Sequence, residues 1–151
     1  YNENKVIALN ALKWLRQNNV PWSEHLCASA ARNRNLEALK WARENGCPWG
    51  IQTFKNSVRN GDIEYLDYCF EHNCPFHSSL YEDAFNDGLS AESQSFKVCQ
   101  WLLQHSIPIN ENTSYYAALY GHLSTLKLAI DASGSGNNIN QGLSATSETH
   151  H

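Results

Sequence analysis

Four prolines punctuate the chain at Pro21, Pro48, Pro75 and Pro108, at intervals of 27, 27 and 33 residues. Each sits in the same apolar frame. Trp22, Trp49, Phe76 and Ile109 follow them, and Val20, Cys47, Cys74 and Ile107 precede them. Seven residues upstream of each proline stand Trp14, Trp41, Tyr68 and Trp101, and two residues before those stand Leu12, Leu39, Leu66 and Cys99. The series runs on without its proline at Leu126 and Leu128. A fixed period of this length implies a stack of similar supersecondary units, each too small to bury its apolar face without its neighbours.

The longer interval has a visible origin. Gly61 recurs 27 residues later as Gly88, whereas Ile63 recurs 33 residues later as Phe96. Six residues, Leu89 to Gln94, have therefore been inserted. Their polar, helix-poor composition predicts a loop.

Each unit reads as two short helices. Asn35 to Asn45 has helical apolar spacing, and Gly46 and Pro48 then stop the helix. The preceding stretch is rich in small residues, Cys27 to Ala31, which let helix backbones approach closely. Ser23 is placed to cap that helix, and Ser79 and Asn112 are placed to cap later ones. First-type helices are expected near 24–33, 52–60, 79–87 and 112–120. Second-type helices are expected near 5–18, 36–45, 62–72, 95–105 and 123–131. No stretch alternates with period two, so no sheet is expected.

Composition narrows the function classes. Eleven Lys and Arg against 15 Asp and Glu give a net charge of −4, with no general attraction to nucleic acid. Apolar runs of a few residues are too short to span a bilayer. Five Cys and no secretory leader point to a reducing, intracellular and cytoplasmic setting. The absence of Met, even at position 1, points to a processed chain or a piece of a longer one.

The phrase Leu39-Lys40-Trp41-Ala42-Arg43-Glu44-Asn45-Gly46-Cys47-Pro48-Trp49, after Cys27-Ala28-Ser29-Ala30-Ala31, resembles an ankyrin repeat. It is similar to the short ankyrin-like arrays of large DNA viruses, algae and oomycetes. The resemblance covers about residues 6 to 131. It implies an all-α, ankyrin-like solenoid of stacked helix-turn-helix repeats over 1–132, about one half plus four repeats, with a Gly/Ser/Asn-rich tail over 133–151. An ordinary ankyrin repeat has about 33 residues. The shortfall here falls after the Pro-Trp, which implies β-hairpin fingers reduced or absent.

Several constellations invite chemistry. Cys69-x-x-His72-x-Cys74-x-x-His77 has the residue types of a tetrahedral zinc site. The repeat register opposes it, because Cys69 shares a slot with Leu15, Ala42 and Leu102, and Cys74 shares one with Val20, Cys47 and Ile107. Both are then core thiols, and no metal or other cofactor is expected. No Ser or Cys lies in a known nucleophile motif, so no catalytic residue is assigned and the chain is read as non-enzymatic. The Trp14, Trp41, Tyr68, Trp101 series is read as inter-repeat core. Trp22, Trp49 and Phe76 are left open between exposed loop positions and residues packed over the next helix.

Arg32, Arg34, Lys40, Arg43, Lys55 and Arg59 form a candidate basic stripe, followed by acidic residues from Asp62 to Asp87. The expected function is that of a protein–protein interaction module, a scaffold or adaptor. The alternative is a structural subunit built permanently into a larger complex, such as a viral particle or organelle assembly. The expected partner is another protein, with no nucleic acid and no membrane insertion. Candidate protein-binding residues lie at the starts and ends of first-type helices. In the first two units they are Ser23, Glu24, Arg32, Arg34, Gln52, Lys55 and Arg59. Further along they are His77, Glu82, Glu111 and Tyr115. By ankyrin analogy these helices line the concave side, with Lys13, Arg16, Lys40, Glu44 and Glu71 on the convex back.

Overall fold

A computed structural model describes residues 3–86 and 90–134 of the chain. Its regular elements among these residues are all helical. The chain divides into two compact units, Tyr1–Leu80 and Tyr81–His151. The first holds α1 (Glu3–Gln17), α2 (Glu24–Arg32), α3 (Leu36–Glu44), α4 (Ile51–Asn60) and α5 (Ile63–Glu71). A short α6 (Leu80–Asp83) crosses the boundary, and α7 (Glu92–Gln104), α8 (Glu111–Leu119) and α9 (123–134) belong to the second. The tail from residue 135, and Asp87, Gly88 and Leu89, lie outside the described residues.

The ends of the second-type helices repeat one device. The backbone N–H of Val20 donates to the Leu15 carbonyl at 3.0 Å, Cys47 to Ala42 at 2.9 Å, Cys74 to Cys69 at 2.8 Å and Ile107 to Leu102 at 3.0 Å. The residue before each donor is left-handed: Asn19 at φ 52, Gly46 at 85, Asn73 at 58 and Ser106 at 60. This closure satisfies carbonyls that a helix end leaves orphaned. A proline follows each donor, so the helix cannot resume. One residue type serves a further carbonyl: Asn18 and Asn45 donate through Nδ2 to the Trp14 and Trp41 carbonyls, each at 2.9 Å.

In the first unit α2 packs against both α3 and α4, α1 against α3, and α4 against α5. Small side chains make the α2–α4 approach possible: Cys27, Ala28, Ala30 and Ala31 are buried. Asn56 and Asn60 of α4 then reach the Ala28 and Ala31 carbonyls of α2, Asn56 at 2.9 Å and Asn60 at 2.5 Å. The core fills with Leu39, Phe54, Val58 and Leu66, all fully buried. In the second unit Tyr81, Phe85, Val98 and Leu102 do the same. Tyr81 also donates its hydroxyl to the Ile107 carbonyl at 2.5 Å.

Four expectations need correction. Leu89 to Gln94 is not a helix-poor loop throughout, because Glu92, Ser93 and Gln94 form the first turn of α7. Ala91 enters extended, and a Glu in the first turn complements the helix dipole. The Glu92 carboxylate also accepts from the Ser124 N–H at 2.6 Å, tying that turn to α9. The third first-type helix is shorter than 79–87: after Asp83 the chain tightens into i→i−3 bonds, Ala84 to Tyr81 and Phe85 to Glu82, and Asn86 turns left-handed at φ 43. Asn112 does not cap α8. Asn110 does, accepting from the Thr113 N–H at 3.2 Å. Finally, the aromatic series is not uniformly core. Tyr68 and Trp101 are buried and Trp41 is half-buried, but Trp14 is 58% exposed.

Candidate interaction surface

At the starts of the first-type helices of the first unit, Ser23 caps α2 by accepting from the His25 N–H at 3.4 Å. Glu24 is exposed in the first turn of α2, and its carboxylate lies against Gly50 at the start of α4. A Cβ on Gly50 would stand 2.7 Å from Glu24 Oε2, so glycine is what lets the carboxylate sit there. Gly50 has no side chain to cap α4, and the nearby anion favours that helix start instead. Gln52 is exposed and donates to Asn56 Oδ1 at 3.0 Å.

The helix ends gather positive charge. Arg34, left-handed at φ 55, donates through Nη2 to the Asn60 carbonyl at 3.2 Å and pairs with Asp62 at 3.9 Å. It links the end of α2 to the end of α4 and so brings Arg32 and Arg34 beside the segment that carries Arg59. Arg32 is exposed, whereas Lys55 and Arg59 are half-buried.

The expected six-residue basic stripe does not form as one surface. Lys40 and Arg43 belong to α3, and their charges lie over rings: Lys40 Nζ is 5.6 Å from the Tyr68 centroid and the Arg43 guanidinium 4.2 Å from that of Trp49. Arg43 also donates to the Cys47 carbonyl at 2.6 Å. Arg16 of α1 sits 5.4 Å over Trp22 in the equivalent slot. Trp22 and Trp49 are therefore sandwiched residues. Trp22 meets Trp41 edge-on at 5.9 Å, and Trp49 meets Tyr68 at 6.0 Å. The 27-residue recurrence of Arg16 and Arg43, each six residues before a Trp, was the signal for these stacks.

His77 is exposed, but its Nδ1 is held by the Ser79 hydroxyl at 3.2 Å and accepts from the Ser79 N–H at 3.3 Å. In the second unit Glu82 accepts from Asn112 Nδ2 at 2.8 Å, which brings it beside Glu111 on the first turn of α8. Tyr115, on the next turn, is 61% exposed.

The cysteine thiols face inward. All five cysteines are reduced and buried. Burial pushes the Cys27, Cys47 and Cys99 thiols up, Cys99 to about 12, and contact with Cys69 together with burial holds Cys74 protonated. His72, between Cys69 and Cys74, is exposed and directs Nδ1 to the Tyr68 carbonyl at 2.9 Å. The thiols and imidazoles of the zinc-like run thus point to different places. Among the described residues no group of three or more His, Cys, Asp or Glu gathers as a metal site.

Ser95 and His122 were not singled out by sequence. Ser95 Oγ lies 2.7 Å from His122 Nδ1, 3.0 Å from Thr125 Oγ1 and 3.0 Å from the Glu92 carbonyl. One hydroxyl proton serves the carbonyl, so Ser95 accepts from the other two, and His122 carries its proton on Nδ1. Ser95 is fully buried, which makes this pair a clamp on the start of α7 rather than an accessible nucleophile. No described helix is long and apolar enough to cross a membrane. Comparison of the chain with protein-family models, with curated proteins and with solved structures finds no match.

Proposed function

We propose that the chain is a non-catalytic protein–protein interaction module built as an ankyrin-like array. The observation behind this is the recurrence, at the sequence period, of contacts that only stacked units make. The Arg16–Trp22–Trp41 and Arg43–Trp49–Tyr68 stacks occupy matching slots. So do the Cys47 and Cys74 thiols, which reach back 24 residues to the Ser23 and Gly50 carbonyls, each at 3.6 Å. The cysteine thiols are consumed by this packing. The first-type helices leave polar and charged groups in solvent, Ser23, Glu24, Arg32 and Gln52 in the first unit and Glu111 in the second, together with the apolar or aromatic side chains of Ile51, Tyr115 and Leu119. Surfaces of this kind recognise proteins through a few anchors and complementary charge.

A second reading, a permanent subunit of a larger assembly, draws on apolar side chains left in solvent. Trp14 and Val20 are exposed, although their counterparts Tyr68, Cys47 and Cys74 are buried. Leu119 and Leu123 are also exposed. A monodisperse monomer by size-exclusion chromatography with light scattering favours the module, and self-association favours the subunit.

The module is tested by charge reversal. With the chain as bait, Arg32→Glu is expected to weaken capture of its partner at least several-fold, while Lys13→Glu on α1 leaves it unchanged. Both substitutions are at the surface and are expected to alter stability by no more than about 0.5 kcal/mol. The opposite ranking, with both variants folded, moves the interface to the second-type helices and refutes the assignment.

A further inference from the structure

The arginine that covers a ring in the first two repeats is missing from the third. Residues 16, 43 and 70 share one slot, and 22, 49 and 76 share another. Arg16 lies over Trp22 and Arg43 over Trp49. In the third copy the pair is Phe70 and Phe76. In the fourth it is Leu103 and Ile109, with no ring at all. Only the third copy therefore keeps an aromatic face while lacking its cation.

The vacated place is a physical cleft. Phe70, Asn73, Cys74, Pro75 and Phe76 line a volume of about 370 Å³. Phe76 packs on Phe54 at 5.2 Å, which fixes its ring, and still leaves 42% of the residue in solvent. At the matching position of the second copy, Arg43 also serves the Cys47 carbonyl. Phe70 has no donor to offer the Cys74 carbonyl in its place.

Charge points the same way. The last turns of α1 and α3 each carry a cation, Arg16 and Arg43, which complements the negative end of the helix dipole. The last turn of α5 carries none. α5 instead holds Glu64, Asp67 and Glu71, with no Lys or Arg along its length. Two phenyl rings, the C-terminus of α5 and the Glu71 carboxylate in its last turn form a setting that attracts a planar cation.

We infer that the cleft between Phe70 and Phe76 binds an arginine side chain presented by a partner protein, its guanidinium taking the place that Arg16 and Arg43 fill internally in the preceding repeats. Arginine fits better than lysine. Its flat guanidinium stacks on a ring while its N–H groups remain directed to a carbonyl in the plane, as Arg43 does. The inference rests on the interaction-module reading and gives it one anchor of defined chemistry.

The test uses the full chain, ¹⁵N-labelled, titrated with the peptide acetyl-Gly-Arg-Gly-amide and with its citrulline and lysine counterparts. Saturable shifts are expected at the amides of Asn73, Cys74 and Phe76. The citrulline peptide keeps the shape and loses the charge, so it should bind roughly two- to five-fold more weakly, the range of an exposed cation–π contact. The lysine peptide should fall between them or below. Phe70→Arg should supply the guanidinium from within and suppress the shifts, and Phe76→Ala should remove the ring and do the same. Phe70→Arg restores the pairing found in two other repeats, so it keeps the test open if Phe76→Ala fails to fold.

Equal binding of the arginine and citrulline peptides, unmoved amides at saturating peptide, or shifts that survive Phe70→Arg would each overturn the site. If those amides stay unmoved while Arg32→Glu still weakens partner capture, the arginine site falls and the module stands. If the peptide binds as expected and no partner is retained by the unaltered chain, the module falls and the site stands.

Discussion

Tyr68 and Trp14 occupy one register slot in the same compact unit, yet Tyr68 is 8% exposed and Trp14 58%. Truncating each to alanine separates register from actual burial. Tyr68 has the Trp49 edge at 6.0 Å, the His72 ring at 4.2 Å and the Lys40 ammonium at 5.6 Å. Tyr68→Ala opens a hole that these groups cannot close together, and should cost about 3–5 kcal/mol, the range for large aromatics leaving a core. A tryptophan can bury roughly 150–250 Å². Trp14 keeps about two fifths of its surface covered, so at about 25 cal/mol per Å² its truncation costs at most about 1.5–2.5 kcal/mol. No cavity term adds to that figure, because the space opens to water. The larger side chain should therefore be the cheaper one to lose. Urea unfolding followed by far-ultraviolet circular dichroism reads the difference without depending on tryptophan emission. Tyr68→Ala should lower the midpoint by on the order of 2 M, and Trp14→Ala by no more than about half as much. An equal or larger loss in Trp14→Ala would refute the reasoning, since it would mean that Trp14 is covered in solution.

Gly46 has φ 85 and open space where a Cβ would stand, so Gly46→Ala meets no clash and should cost roughly 1 kcal/mol from backbone conformation alone, measured by the same unfolding assay. The Cys99 thiol is raised by burial from the ordinary 9.0 to about 12. The unfolded thiol ionises first, so the stability present below pH about 9 should drain away as pH rises toward 12. Cys99→Ala should flatten that part of a melting-temperature profile against pH, and a slope identical to that of the unaltered chain would show that Cys99 is not the group responsible.

The repeat made the helix order and most helix boundaries legible, because helix ends are fixed locally. Pro21, Pro48, Pro75 and Pro108 forbid continuation, and the left-handed residue two positions earlier closes the turn whether it is Gly46, Asn73 or Ser106. The Ser23 cap was equally local. Caps compete, however, and Asn110 takes the α8 start because it stands where the chain is still extended, at ψ 167, while Asn112 is already helical and turns to Glu82. Burial was less legible than order. A slot predicts which way a side chain points along its helix, but the neighbouring unit decides whether anything covers it, and Trp14 and Val20 show the difference. Glu92 illustrates a third limit: its turn is held by Ser124, 32 residues away, and no window around residue 92 contains that partner.

Within the zinc-like run, Cys69, His72 and Cys74 have their spacing by superposition of two structural needs. One need is a compact apolar group in the slots of Cys69 and Cys74, where leucine, alanine, valine or isoleucine serves elsewhere. The other is a side-chain hydrogen-bonding group at the helix end beside the carbonyl four residues back, met by Asn18 and Asn45 through Nδ2 and by His72 and His105 through Nδ1. The histidines add a ring contact that asparagine cannot make, at 4.2 Å from Tyr68 and 3.8 Å from Trp101. That contact is available only where the residue four earlier is aromatic, as it is in every copy. Imidazole and amide are thus alternative solutions to one helix-terminus problem, and the alternation between thiol and aliphatic residues is a choice among core groups of different size. A short motif read without its period merges these independent choices into a site, whereas the period separates them and leaves as the unexplained residue of the pattern the one slot where arginine became phenylalanine.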